Sequence, residues 1–356
     1  MIKILVLNWG MAEEYSWTHR LLEEMAFLGC QFKVISARRA WAPRGGQKYP
    51  QRESYQGIEY YRLYKDISDF KARLKGDAIQ IMEEVFDGEK FDIVWTFHQA
   101  NWHIGRVFAD HLNAKHIITC EQAFRTSGYA AGAITDRWRE IQSTTDLIIS
   151  WAPQDKNNEK SIGVKYLPFG GCFRDIELFQ VPFGKKKMEP IGIYQGSINP
   201  DYKNQDAMFE DISWMLGERV VGKFVVNGYP MSQSSKDIIT RLKKEWGSRF
   251  HHEMLIGRRA VMESLSTALI GYSPMKPAIL SNFPYEAFGA SVPMYMPYIV
   301  DAEDYIITDK RRVIEATKHE GLYNVITNKA KDYYDATHSI EMMGDAYYQE
   351  VEKIVA

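Results

Sequence analysis

The amino-acid sequence predicts an α/β protein of two domains, each a parallel sheet with helices packed against it. The chain has 356 residues, more than one hydrophobic core usually organises. Short apolar runs alternate with amphipathic helical patterns, which is typical of parallel sheets. After residues 181–190, VPFGKKKMEP, the alternation starts again. We interpret that proline-, glycine- and lysine-containing segment as an inter-domain linker.

The first half begins with Ile2–Leu7, an apolar run interrupted only by Lys3, as expected of a strand buried on both faces. A helix over 17–28 and a strand over 32–36 follow. Further strands are predicted at 92–97, 116–120 and 146–150, with helices at 102–112 and around Trp138. Residues 38–75 form a long, aromatic and basic stretch, which we interpret as a functional insertion or lid.

The second half repeats this organisation. Four strands are predicted in the segments IGIYQG, KFVVNG, FHHEMLIG and ALIGYS, with helices between them. In the last segment, apolar side chains recur at helical spacing at Ile340, Met343, Tyr347, Val351 and Ile354. This final helix needs an apolar surface to cover.

Composition excludes several classes of protein. A formal charge of −2 gives no global attraction to nucleic acid or anionic membranes. The cysteines Cys30, Cys120 and Cys172 are too few for a disulfide framework and lack metal-type spacing, which fits a reducing cytoplasm. Neither a signal peptide nor a run of about 20 apolar residues is found. We therefore expect a cytoplasmic protein without integral membrane association.

Two glycine-containing turns are candidate phosphate-binding loops. NWG places Gly10 after the first strand, although the full G-x-G-x-x-G fingerprint of dinucleotide-binding enzymes is missing. IYQGSINPDYKN places Gly196 and Ser197 at a strand end and Lys203 near the next helix, where a cation could pair with phosphate oxygens. Plain surface turns are the alternative for both.

A third segment, ALIGYSPMKPAILSNFPYEAFGASVPMYM, is the most informative. A strand leads into a polar loop containing Ser281, Asn282 and Phe283, and Pro284 starts a helix that carries Glu286. Amides at that helix start could hold a diphosphate, while the carboxylate accepts hydrogen bonds from two vicinal ribose hydroxyls. The alternative is that Glu286 is a solvated helix residue.

These motifs resemble the donor domain of family-four-type GT-B glycosyltransferases. The family's donor helix commonly reads like LEAMASGVPV, and YEAFGASVPMYM aligns with it without gaps, so that Glu286 matches the glutamate of this pattern. VVNGYP, with Asn227, resembles the family's GDGP turn. RFHHEMLIGRRAVMESLSTA resembles its F-x-G strand and next helix, and implies that the edge from Leu255 to Gly257 contacts the base.

The first half carries the same resemblance. FDIVWTFHQANW, with His98, is similar to the family's D-V-V-H-A-H-N-W stretch, and IITCEQAFR, with Arg125, is similar to its V-V-T-x-H-G stretch. The resemblance implies a GT-B fold: two Rossmann-like domains with parallel sheets facing across a cleft, and a C-terminal helix that crosses back to the N-terminal domain. We expect an acceptor-binding domain at 1–182, a nucleotide-sugar-binding domain at 183–335 and the returning helix at 336–356.

Three positions depart from the family pattern. Ala278 stands where the family has a second glutamate, Ser197 replaces an arginine, and Glu121 replaces a histidine. Lys203 alone would then supply the positive charge that pairs with the diphosphate. Glu121 ends a predicted strand and is our candidate general base for the acceptor hydroxyl. The alternative is that it only orients its loop.

The sequence thus predicts a glycosyltransferase that moves a sugar from a nucleotide-sugar, with UDP favoured, to a hydroxyl on a saccharide or glycan. Phage DNA glucosyltransferases also resemble this layout, so a DNA-base acceptor is an alternative, as are a sugar-nucleotide epimerase or hydrolase and a non-catalytic binder. No permanently bound cofactor is expected, and His98, His103, His251 and His252 lack convincing metal-ligand spacing. The candidate acceptor contacts are His98, Arg125, Arg39 and Arg44.

Overall fold

The chain forms two compact units in a computed structural model. One comprises Met1–Phe169 together with Ile340–Ala356, and the other comprises Gly170–Ser339. The residues that the structure describes are 1–8, 17–38, 49–97, 101–120, 136–151, 163–168, 180–196, 198, 204–228, 230, 232–253, 258–274, 283–297 and 304–356.

The first unit is built on an eight-stranded sheet in the described part of the chain, in the order β3-β4-β2-β1-β5-β6-β7-β8. All neighbours pair in parallel except β3 and β4, which are antiparallel. The strands are β1 (Ile2–Leu7), β2 (Cys30–Ala37), β3 (Arg52–Tyr55), β4 (Ile58–Tyr64), β5 (Ile93–Phe97), β6 (Lys115–Cys120), β7 (Leu147–Ser150) and β8 (Lys165–Tyr166).

The second unit contains, among its described residues, a six-stranded sheet in the order β11-β10-β9-β12-β13-β14, with every pair parallel. Numbered from its own first strand, the order is 3-2-1-4-5-6, the doubly wound arrangement of Rossmann folds. The strands are β9 (Ile191–Gln195), β10 (Lys223–Asn227), β11 (Phe250–Glu253), β12 (Ile270–Tyr272), β13 (Met294–Tyr295) and β14 (Ile306–Ile307).

Helices connect the strands of both sheets. Those that the structure describes are α1 (Trp17–Phe27), α2 (Ile67–Gln80), α3 (Trp102–Leu112), α4 (Asp136–Thr144), α5 (Phe183–Met188), α6 (Gln205–Gly217), α7 (Gln233–Trp246), α8 (Arg258–Thr267), α9 (Phe283–Gly289), α10 (Lys310–Lys318), α11 (Glu320–Thr337) and α12 (Ile340–Val355). The predicted α/β fold class, with two Rossmann-like parallel sheets, is confirmed. No helix in the described ranges is both long and apolar enough to cross a membrane.

The final helix packs on the first unit, as the predicted fold requires. α12 lies against α1, and the contact is so close that a Cβ atom on Gly344 would lie 2.3 Å from Cγ of Glu24. Tyr347 is fully buried and stacks on Trp95 of β5, with ring centroids 6.0 Å apart. The apolar stripe noted in the sequence therefore covers the sheet of the first unit.

Within residues 49–75, β3 and β4 belong to the sheet and the stretch from Ile67 onward belongs to α2, so for these residues the interpretation as an insertion or lid is wrong. β4 pairs with β2 along its whole length, and β3 forms the edge of the sheet. The charged side chains are used internally, since buried Arg62 donates to the Glu53 carboxylate at 2.7 Å and to the Pro50 carbonyl at 3.2 Å. In this part of the stretch, Arg62 therefore stabilises the edge of the sheet.

The predicted linker at 181–190 is also wrong in its central part, because residues 183–188 form α5. Phe183 packs against Leu269 and Tyr323. Lys186 is buried, with 2% of its surface exposed. Its ammonium group donates to the carbonyl of Ser291 and the hydroxyl of Tyr323, both at 3.2 Å. The lysine-rich sequence was interpreted as a linker because the sequence alone does not show the buried hydrogen bonds of Lys186.

Candidate functional site

The candidate site lies in the second unit, where the carboxyl ends of β9, β10 and β12 meet. β9 is the first strand of this sheet, and its neighbours β10 and β12 lie on opposite sides of it. The connections on the two sides therefore run to opposite faces of the sheet, which opens a crevice at the strand ends between β9 and β12. This topological switch point is where doubly wound proteins bind their ligands.

The turn after β9 depends on two glycines. Gly196 has φ of +126°, a conformation that residues with a Cβ atom rarely adopt, and its N–H donates to the carbonyl of Asn227 at 3.0 Å. A Cβ atom on Gly228 would lie 1.8 Å from the carbonyl oxygen of Gly196. The structure thus brings together two predicted site residues, Gly196 and buried Asn227, by close approach of their backbones.

The start of α7 fixes the same turn from the other side. Ser235 donates its hydroxyl to the carbonyl of Ile198 at 2.9 Å, and its backbone N–H donates to the hydroxyl of Ser232, which caps the helix. Ile198 in turn forms a parallel bridge with Pro230. Ile198, shortly after β9, is therefore positioned by the capped start of a helix.

His252 fixes the end of β10. Its Nε2 bonds with the carbonyl of Gly228 at 2.7 Å, and Gly228 donates its N–H to the carbonyl of Glu253 at 3.1 Å. Burial lowers the pKa of His252 from its ordinary value. His251 bonds with the carbonyl of Ser248 at 2.8 Å. Within the described ranges, no three His, Cys, Asp or Glu side chains cluster as a metal site.

Phe283 begins α9 and packs across the switch point. A Cβ atom on Gly271 of β12 would lie 3.3 Å from Cζ of Phe283, and the ring of Tyr194 on β9 lies edge-on to that of Phe283, with centroids 6.2 Å apart. Met294 Sδ lies 2.3 Å from the same Cβ position, so a larger residue at 271 would require the Met294 side chain to move. The helix is thereby held over β9 and β12.

Glu286 lies in the first turn of α9 and is buried, with 6% of its surface exposed. This burial excludes the alternative of a solvated helix residue. The next residues, Ala287 and Phe288, are buried in the core, and Tyr285 stacks on His338 with centroids 3.9 Å apart. A carboxylate is rarely buried this deeply unless it serves a partner.

The end of α9 is held by the buried Lys186. Its ammonium group donates to the carbonyl of Ser291, a residue with φ of +53°, while Val292 donates its N–H to Ala287 at 2.8 Å. Burial lowers the pKa of Lys186 to about 8. Sequence analysis missed this lysine, because nothing distinguishes it from its exposed neighbours Lys185 and Lys187 except its helical phase relative to Phe183.

Of the predicted site residues, Gly196, Asn227, Phe283 and Glu286 lie within the described part of the chain, all at the carboxyl ends of the second sheet or on α9. Those outside the described residues are Gly10, Arg39, Arg44, His98, Glu121, Arg125, Ser197, Lys203, Leu255, Gly257, Ser281 and Asn282. Two residues that the sequence analysis did not single out, Gln195 and Ser273, also lie at these strand ends.

Solved structures with the same fold are found over the whole chain. A sucrose-phosphate synthase from Thermosynechococcus elongatus superimposes with a TM-score of 0.71 at 12% identity, covering 99% of each chain. HepE from Anabaena, solved in complex with UDP and glucose, gives a TM-score of 0.71 at 10% identity, covering 99% of this chain and 100% of HepE. The chain therefore has the GT-B fold of these glycosyltransferases, as predicted.

The same fold also occurs in a protein named for a different reaction. A putative UDP-N-acetylglucosamine 2-epimerase from Listeria monocytogenes matches with a TM-score of 0.60 at 11% identity, covering 99% of this chain and 97% of the other. No protein-family model and no curated protein matches the sequence. At these identities the similarity establishes the architecture, and the chemistry has to be inferred from the site.

Proposed function

We propose that this protein transfers a sugar from a nucleotide-sugar to an acceptor hydroxyl, and that its second unit binds the donor. The observation that carries the proposal is Glu286, a buried carboxylate held on α9 over the switch point. Its two oxygens could accept hydrogen bonds from the two vicinal hydroxyls of a ribose. The backbones of Gly196 and Gly228 approach each other too closely for a Cβ atom on Gly228, and such glycine turns let a bulky, charged nucleotide come near the backbone.

The structures of similar fold support UDP as the nucleotide. HepE has been solved with UDP and with UDP-glucose. Six further residues, all outside the described part of the chain, would complete the proposed donor site: Ser197 and Lys203 beside the diphosphate, Leu255 and Gly257 beside the base, and Ser281 and Asn282 directly before α9 in the sequence. Cationic and amide donors at the diphosphate would stabilise the negative charge that builds on the leaving group without a metal ion.

The first unit would bind the acceptor. In this proposal Glu121 removes the proton from the acceptor hydroxyl as its oxygen attacks the anomeric carbon, and the nucleoside diphosphate departs. His98, Arg125, Arg39 and Arg44 are the proposed acceptor contacts. A saccharide or glycan is the acceptor we favour.

The test has two measurements for the wild type and for Glu286→Gln: UDP-glucose binding by calorimetry, and transfer from UDP-glucose to a panel of oligosaccharides with products identified by mass spectrometry. The variant keeps the shape of the side chain but removes its charge. We expect a loss of donor affinity of about tenfold or more, because hydrogen bonds to a charged group contribute about 1.5–3 kcal/mol. Glu245→Gln, at an exposed position of α7, is the matched control. Equal donor binding by wild type and Glu286→Gln would contradict this role for Glu286.

An epimerase or hydrolase is the second candidate, because a protein described as a putative UDP-N-acetylglucosamine 2-epimerase shares the fold. Such an enzyme consumes the nucleotide-sugar without an acceptor. NMR of UDP-glucose and UDP-N-acetylglucosamine incubated with the protein alone separates the two functions: conversion under these conditions favours the second candidate, and conversion only with an added acceptor favours transfer. Adding hydroxymethylated DNA over a salt series tests a nucleic-acid acceptor, whose binding would weaken steeply as salt rises.

A further inference from the structure

Two polar side chains lie at the carboxyl ends of the strands that flank the switch point. Gln195 is the last residue of β9, and Ser273 directly follows β12. The two strands pair in parallel with Ile270 opposite Gly192. Continued by three residues, this register brings Ser273 beside Gln195. Residues opposite each other in neighbouring strands project to the same face of a sheet, so the two side chains are neighbours there.

Both side chains present an unsatisfied oxygen. Ser273 is 1% exposed, and its N–H donates to the carbonyl of Tyr295 at 3.0 Å. Its hydroxyl, however, has no hydrogen-bond partner among the described residues, and the same holds for the buried Oε1 atom of Gln195. Buried polar atoms in folded proteins are nearly always paired, because leaving them unpaired destabilises the fold. Two such oxygens at the ends of adjacent strands of a switch point indicate a binding function.

We propose that Gln195 and Ser273 together bind one hydroxyl group of the nucleotide-sugar, an inference that rests on the function proposed above. A hydroxyl group both donates and accepts, so it can donate to Oε1 of Gln195 while it accepts from the hydroxyl of Ser273. A phosphate oxygen only accepts and therefore cannot satisfy Oε1. The hydroxyl belongs to the ribose or to the transferred sugar, which share this chemistry.

The surroundings of the pair fit this ligand. Gly196 follows Gln195 directly and takes the positive φ that opens the turn. Phe283 packs against Gly271 and Tyr194 of the same two strands, so α9 and Glu286 are held at the same end of the sheet. If the pair binds the transferred sugar, Glu286 keeps both ribose hydroxyls; if the pair binds one ribose hydroxyl, Glu286 accepts from the other. Either arrangement gives the site selectivity for a sugar-bearing nucleotide over a bare phosphate.

The experiment measures dissociation constants by calorimetry for UDP-glucose, UDP and 2′,3′-dideoxy-UDP. The proteins are the wild type, Ser273→Ala, Gln195→Met and the double variant. The matched control is Ser36→Ala, because Ser36 in β2 of the first unit is also fully buried with a hydroxyl that has no partner among the described residues. We expect each single variant to bind UDP-glucose about tenfold more weakly and the control to bind it unchanged.

The three ligands identify the hydroxyl. If it belongs to the sugar, the variants lose affinity for UDP-glucose only; if it belongs to the ribose, they lose affinity for UDP-glucose and UDP but not for the dideoxy compound. Because both residues bind one group, the double variant should lose less than the product of the two single losses. An equal loss for all three ligands would overturn the proposal, because it would place the contact on the diphosphate or the base.

Thermal stability separates a binding role from a structural one. Ser273→Ala removes an unpaired buried hydroxyl, so its melting temperature should equal or exceed that of the wild type while its affinity falls. A variant that melts lower and binds UDP-glucose as tightly as the wild type would contradict the proposal. Absence of nucleotide-sugar binding by the wild type would refute the proposed function itself, whereas tight binding that both variants retain would refute only the role of this pair.

Discussion

Lys186 should make the stability of the second unit depend on pH in the alkaline range. Burial lowers the pKa of this lysine from 10.5 to about 8. Between these values the unfolded chain binds the proton and the folded protein does not, so the free energy of unfolding rises with pH. From pH 7 to pH 9.5 the rise from this one group is about 2 kcal/mol, at 1.36 kcal/mol per unit of pKa. Below pH 7 both states are protonated and the contribution is constant.

The assay is urea denaturation of the wild type and Lys186→Met at pH 7, 8 and 9.5. Cys30 and several tyrosines also titrate in the alkaline range, but their effects cancel in the difference between the two proteins. We expect the stability of the wild type, relative to the variant, to increase by about 2 kcal/mol across the series. Lys185→Met, which changes the exposed neighbour, should follow the wild type. Parallel stability curves for the wild type and Lys186→Met would show that the lysine has an ordinary pKa and refute the reasoning.

Three further predictions follow from particular contacts. Gly228→Ala places a Cβ atom 1.8 Å from a backbone oxygen, so it should abolish UDP binding, measured by calorimetry, and lower the melting temperature. Gly184→Ala is the control, because Gly184 has open space around it, and it should change neither quantity. Burial raises the pKa of Cys30 to about 12, so this thiol should not react with a thiol-specific reagent at pH 8 until urea unfolds the protein. Fast labelling of the folded protein that the Cys30→Ser substitution removes would contradict this prediction. Gly344→Ala should destabilise the first unit, because its Cβ atom would lie 2.3 Å from the Glu24 side chain, and an unchanged melting temperature would contradict the close packing of α12 on α1.

The regular elements could be predicted because their signals are local. An apolar run such as Ile2–Leu7 has little alternative to a buried parallel strand, and the stripe from Ile340 to Val351 needs an apolar surface wherever it lies. The errors arose where tertiary partners decide the structure. Lys186 looks like a linker residue until the Ser291 carbonyl and the Tyr323 hydroxyl are placed beside it, and Arg62 looks like part of a basic lid until Glu53 is placed across the sheet edge.

The candidate site, like the fold, could be predicted where the signal is local and not where it depends on tertiary packing. Glu286 could be identified from the aligned donor-helix pattern, and the restart of the strand pattern at Ile191 indicated which turn follows the first strand. Its burial could not be predicted, because it depends on how α9 packs against β9 and β12. Gln195 and Ser273 could not be predicted as site residues, because a glutamine and a serine at strand ends are common. Only the register of two strands far apart in sequence brings them to the same end of the sheet.

The placement of α12 has a consequence for protein synthesis. The ribosome makes the first unit's sheet before Gly170–Ser339 and makes the helix that covers this sheet only after it. Until then, the surface of α1 and the ring of Trp95 lack the packing that Gly344 and Tyr347 provide. The nascent chain therefore exposes an apolar surface while Gly170–Ser339 is synthesised, and such exposed surfaces are bound by chaperones.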